Sequence, residues 1–163
     1  MKSSQALCLS LLLATVAFVP RLAPREQALV GTWRLVEFAD LDRNGNWQYW
    51  FGEHPRGFFV YDATGHVHIQ IMKVPQLKPF PESNWDEGKL PSPEHALAAY
   101  AAYDAYFGTY TVDAQKQAVI HHVEGSLQPD YTDTDQVRPF RLEGDRLEIS
   151  DGKTYRRVLY RVR

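Results

Sequence analysis

From Val30 onward the chain alternates hydrophobic and polar positions in short runs separated by turn residues, the pattern of an all-β barrel or sandwich rather than of helices. The first run, Gly31 to Phe38, ends in a turn-rich stretch where Asn44-Gly45 can supply positive φ. An aromatic run follows at Trp47 to Phe51, and then Phe58 to Tyr61 and His66 to Met72 flank Asp62-Ala-Thr-Gly65. That pair is the clearest hairpin. In its second strand Val67, Ile69 and Ile71 share one face while His66, His68 and Gln70 share the other, because side chains alternate with period two. Further strands are expected at Thr109 to Val112, Ala118 to Glu124, Gln136 to Leu142, Leu147 to Ile149 and Tyr155 to Val162. The expected fold is therefore all-β, a closed antiparallel barrel of about eight to nine strands.

One segment breaks the pattern. The stretch from Pro75 to Pro93 is rich in proline, which cannot donate to a strand ladder. Ser92-Pro93-Glu94 then has the hydroxyl cap, first-turn proline and early carboxylate of a helix start, which predicts a helix running from Ala96 through Phe107 to Gly108. Tyr100, Tyr103 and Phe107 would form one stripe on it. Together, Val74 to Phe107 read as a rim loop and helix covering one end of the barrel.

The N-terminus differs in kind. Lys2 precedes an apolar run from Ala6 to Val19, matching the charged and hydrophobic regions of a secretory signal. Residues 1–17 are read as a signal peptide with cleavage between 14 and 23, residues 18–28 as a linker and 29–163 as the domain. The expected location is secreted or periplasmic, with no membrane association after cleavage. The single cysteine, Cys8, lies inside the signal, so a disulfide or a cysteine nucleophile is not expected in the mature domain. With 18 basic and 20 acidic side chains there is no basic field for nucleic acid, and no Gly-rich phosphate loop is present. A hydrophobic content of 44% in 163 residues fills one domain.

Several stretches resemble the bacterial and fungal lipocalin-like domain family from about Leu29 to the C-terminus. These are Leu-Val-Gly-Thr-Trp-Arg-Leu-Val at 29–36, Pro-Arg-Gly-Phe at 55–58, Tyr-Phe-Gly-Thr-Tyr-Thr-Val-Asp at 106–113, His-His-Val-Glu-Gly-Ser-Leu at 121–127, Thr-Asp-Gln-Val-Arg at 134–138 and Gly-Asp-Arg-Leu at 144–147. The resemblance implies a closed antiparallel barrel with a ligand-sized interior. It implies no single activity, since similar barrels bind lipophilic molecules and some act as cyclases or isomerases.

Three groups of residues carry candidate chemistry. Trp33 is expected to plug one end under an arginine of the last strand, Arg156, Arg161 or Arg163. His121 and His122 are adjacent on a strand, so one faces inward. If it is His122, Glu124 shares its face and could charge the imidazole as a general acid or base. If it is His121, the imidazole sits among valines as a polar anchor or a structural hydrogen-bonding group. The aromatics Trp47, Tyr49, Phe58, Tyr100, Tyr103, Tyr106 and Tyr110 are candidate ligand contacts, because rings with polar tips suit a molecule with few oxygens. No metal or cofactor is expected: zinc needs three or four converging ligands, and although His121, His122, His54 and His95 are also present, the His66 and His68 pair opposite Val67, Ile69 and Ile71 reads as a solvated strand face. Three functional readings follow: a barrel binding a small lipophilic molecule, a cofactor-independent cyclase or isomerase, and a structural or protein-interaction barrel.

Overall fold

The computed structural model describes residues 24–163; the expected signal peptide falls outside the described residues, and Pro24–Leu29, the end of the expected linker with the first residue of the expected domain, forms a short helix, α1. Nine strands follow: β1 Gly31–Leu41, β2 Trp47–Gln48, β3 Arg56–Tyr61, β4 His66–Met72, β5 Tyr103–Asp113, β6 Ala118–Ser126, β7 Thr134–Glu143, β8 Arg146–Ser150 and β9 Tyr155–Arg161. All pairings are antiparallel, and the sheet closes on itself because β1 pairs with both β3 and β9. Eight strands make the barrel, and the two-residue β2 is an addition along the far end of β1.

Closure depends on β1 bending. Its first part pairs with β3 through Gly31 to Arg34, and Trp33 to Asp40 pair with β9, with a register shift between Leu35 and Glu37. A second shift occurs where Phe107 pairs with Gly125 while Gly108 pairs with Val123, leaving Glu124 unmatched on β6. Such bulges increase local twist and let a sheet curve. Gly108 sits there because a Cβ would lie 2.0 Å from the His122 carbonyl oxygen.

The turn between β3 and β4 shows why the hairpin was legible. One carboxylate oxygen of Asp62 accepts the amides of Thr64 and His66, at 2.8 and 2.9 Å, and Gly65 takes φ of 88°. Alternation then buries Val67, Ile69 and Ile71 and leaves His66, His68 and Gln70 exposed.

The interior is apolar at one end. Trp33 is fully buried, donates its indole N–H to the Leu29 carbonyl at 2.8 Å, and lies under Arg161 at 4.0 Å. Arg161 in turn donates to the carbonyls of Ala28 and Val30, both at 2.7 Å. Leu35, Val67, Val119, Leu147 and Leu159 pack in the same core. Burying such side chains, at about 25 cal/mol per Å² of apolar surface, is what fixes the strand register.

The expected helix is corrected in length. α2 spans only Pro93–Ala101, capped by Ser92, whose hydroxyl accepts the His95 amide at 3.2 Å. Tyr103 to Phe107 belong to β5 instead: β4 offers an unpaired edge, and Met72 pairs with Tyr103 and Ile69 with Tyr106. No aromatic stripe forms, since Tyr100 is 46% and Phe107 51% exposed, and no α2 side chain is buried. Phe107 covers the outer face of Gly125. The 73–102 segment leaves the barrel at the end opposite Trp33, and its helix is held chiefly by loop contacts, His95 stacking on Phe80 and bonding to Glu82.

Candidate functional site

The two ends of the barrel are separated by register. Trp33 pairs with Arg161 and Asp40 with Tyr155, so about seven residues, roughly 20 Å of strand, lie between them. At the Tyr155 end the interior is not filled. A cavity of about 60 Å³ remains, floored by the buried side chains of Phe59, Ile69, Ile71, Tyr106, His121 and Ile149. Half-buried Phe38, Asp104, Tyr131, Arg138, Tyr155 and Arg157 form its rim. None of the lining residues comes from the 73–102 segment, so the expected cover does not contribute to this wall.

Strand alternation chooses between the two histidines. On β6, Val119, His121 and Val123 are buried, and His121 has no solvent exposure. Its Nε2 lies 2.9 Å from the Tyr61 hydroxyl and its Nδ1 2.8 Å from the Tyr106 hydroxyl. Burial, with the Arg138 charge near it, lowers the His121 pKa to about 3, so the ring is neutral at physiological pH. Burial also raises the Tyr106 and Tyr61 hydroxyls above the ordinary tyrosine value.

A neutral imidazole has one donor and one acceptor nitrogen, and burial fixes which is which. Tyr61 is fully buried, and its hydroxyl has no hydrogen-bond partner other than His121 among the described residues. Its O–H must donate to Nε2, since a buried unpaired donor costs about 1–3 kcal/mol. The His121 proton then sits on Nδ1 and is donated to the Tyr106 oxygen. That leaves the Tyr106 O–H directed toward the cavity as a donor.

On β7 the inward face carries polar residues at the cavity end and apolar ones beyond it. Thr134 donates to the Tyr131 carbonyl at 2.6 Å, Gln136 donates to Thr134 at 2.8 Å, and Arg138 donates to Gln136 at 3.0 Å. Phe140 and Leu142 continue the same face into the core. Across the cavity, Arg157 donates to Asp40 at 2.6 Å and to the Ala39 carbonyl at 2.6 Å, with its guanidinium over the Phe38 ring. Burial raises the Asp104 carboxyl pKa, opposed by hydrogen bonds from Gln128 and the Ala105 amide.

Of the residues singled out in the sequence, Tyr106 and His121 meet at this site, and Tyr110 packs edge-on against Tyr61 behind it at 5.1 Å. The others lie elsewhere. Phe58 is under Arg34 on the outer surface, Trp47 is under Arg156, and Tyr49 lies in an outer groove with Glu53 and His54. Tyr100 and Tyr103 are exposed. His122 faces outward between Thr111 and Asp135, at 3.0 and 2.6 Å, and Glu124 is exposed at the bulge, so these two do not act together on the interior. The Thr111–His122–Asp135 row has the order of a nucleophile, base and orienting acid, but it lies on the exposed outer face of the strands and none of its residues lines the barrel cavity. Arg138, Gln136, Tyr61, Asp104 and Arg157 were missed. The available signal was the polar alternation Thr134, Gln136, Arg138 on a face that turns apolar at Phe140.

No group of three or more His, Cys, Asp or Glu side chains converges as a metal site among the described residues. Among them, no helix is long and apolar enough to cross a membrane.

A closed antiparallel barrel with a plugged end and a polar-lined cavity at the other defines the lipocalin-like class of barrel. A family model described as lipocalin-like domain matches residues 30–159, and the chain belongs to that family. No curated protein matches the chain.

Proposed function

We propose that this protein is an extracytoplasmic binding protein that holds a small lipophilic molecule at the open end of its barrel. The carrying observation is the cavity itself, where apolar floor residues surround a few convergent polar groups, the usual composition of a ligand site. Its volume of about 60 Å³ is well below the roughly 300–1,000 Å³ of drug-sized pockets. The ligand is therefore small or slender, with one end on the floor and the remainder passing between Phe38, Tyr131 and Tyr155. The apolar segment from Ala6 to Val19 supports secretion or a periplasmic location.

The enzyme reading has weaker support. A general acid or base works best with a pKa near the operating pH, whereas His121 is held at about 3 and the Tyr106 hydroxyl is pushed upward.

Native mass spectrometry of protein isolated from its own compartment tests the proposal. A bound species of discrete mass that is lost on organic extraction is the expected result. Protein of apo mass from that compartment, together with no uptake of lipophilic probes, would contradict it.

A further inference from the structure

We infer that the molecule held in the barrel carries a carboxylate, seated on Arg138 and the Tyr106 hydroxyl; this rests on the ligand-binding reading above and specifies its chemistry.

The first observation is an unequal treatment of two arginines. Arg157 is matched by Asp40 and by the Ala39 carbonyl. Arg138 has no carboxylate within ion-pair distance among the described residues. Its acceptors are neutral, Gln136 at 3.0 Å and the Tyr131 hydroxyl at 3.4 Å, and it faces the Tyr155 ring at 5.7 Å. A guanidinium has more N–H donors than these two acceptors use. A charge taken partly out of water is costly unless paired, so the open valence at Arg138 favours an anion.

The second observation is hydrogen-bond direction. The Tyr61–His121–Tyr106 chain can satisfy the buried Tyr61 donor in only one sense, which presents an O–H into the cavity beside the guanidinium. The floor therefore offers donors from two side chains and calls for an acceptor. Carboxylate and guanidinium match in planar, two-point geometry.

The third is preorganisation. Gln136 is itself fixed by Thr134, which is fixed by the Tyr131 carbonyl, so a ladder along a barrel strand aims the guanidinium. The opposing group is Asp104, which also lines the cavity. Its carboxyl is engaged by Gln128 and the Ala105 amide and faces the charges of Arg157 and Arg138 beyond ion-pair distance, so it offsets part of the Arg138 charge and works against a bound anion. A cavity of about 60 Å³ accommodates a carboxylate and the first few carbons, with Phe59, Ile69, Ile71 and Ile149 against the chain.

Calorimetric titration of the delipidated protein at neutral pH with octanoate and with 1-octanol tests this. Octanoate should bind tighter than 1-octanol by roughly tenfold to a hundredfold, the range of a charge-assisted hydrogen-bonded pair. Arg138→Gln should bring octanoate down to the level of 1-octanol, abolishing the preference between the two probes. Asp104→Asn should tighten octanoate and leave 1-octanol unchanged; it decides the matter if Arg138→Gln does not fold by circular dichroism. Equal binding of both probes to the unmodified protein, or an octanoate preference that survives Arg138→Gln, overturns the carboxylate assignment and leaves a binding barrel standing. An Asp104→Asn protein with unchanged or weaker octanoate affinity also overturns it. Binding of neither probe removes the ligand-binding reading and this inference with it.

Discussion

Both ends of the barrel pair arginine with aromatic rings, yet they do opposite things. At the Trp33 end, Arg161 lies flat on the indole and donates to the carbonyls of Ala28 and Val30, with Asp145 beside it. Its donors are consumed by the chain and the end is sealed. At the Tyr155 end, Arg157 is likewise consumed by Asp40 and Ala39, but Arg138 is hydrogen-bonded only to neutral groups beside a cavity, with the Asp104 carboxylate beyond ion-pair distance. Residue type alone therefore does not decide between a plug and a cavity. What decides is whether the fold supplies acceptors for every donor and atoms for every volume.

The largest expected difference between the ends is in stability. Trp33→Ala removes a fully buried indole and should cost about 3–5 kcal/mol. Tyr155→Ala at the half-buried rim should cost about 1–2 kcal/mol, because solvent already reaches that ring. Urea unfolding of both variants measures this, and equal losses would erase the distinction between a sealed end and an open one.

A smaller effect concerns the neutral His121. Its folded-state pKa of about 3 lies below the unfolded value near 6.5, so the unfolded chain binds the extra proton. The stabilisation is complete above pH 6.5 and is lost progressively as pH falls toward 3. The slope approaches about 1.4 kcal/mol per pH unit in the lower part of that window. Urea midpoints between pH 6.5 and 5, above the ordinary carboxylate range, should fall less steeply in His121→Gln than in the unmodified protein. Parallel profiles would mean that the imidazole is already charged in the fold.

The smallest expected effect is at the segment beyond the mouth. Tyr100→Ala should change stability by less than about 0.5 kcal/mol, since the ring is 46% exposed and lines no part of the cavity. A larger loss in thermal unfolding would show that α2 supports the barrel after all.

How much of this was legible in sequence differs between the same two regions. The sealed end was readable because Gly31-Thr-Trp33 and the arginines of β9 declare strand, ring and cation directly. The hairpin at Asp62–Gly65 was readable because its turn chemistry is local. The helix was overextended past Ala101 because Tyr100, Tyr103 and Phe107 fit a helical spacing, while the competing pairing with β4 is tertiary. For the site, the sequence posed the choice between His121 and His122 but could not make it, since both faces of β6 read alike. Arg138 escaped notice because a single arginine between Val137 and Pro139 looks like a surface residue until β7 is known to turn it inward. The outward Phe58, Trp47 and Tyr49 were selected on type alone, and type does not report direction.

If the proposed function is right, the barrel interior at the Tyr155 end receives the ligand. Titrating ¹⁵N-labelled protein with octanoate and following amide and arginine side-chain signals tests it most directly. Saturable shifts centred on Tyr106, His121, Arg138 and Ile71, with the Trp33 indole signal unmoved, are the expected result. Saturable shifts confined to the outer groove around Tyr49, or to the Trp33 end, would contradict it.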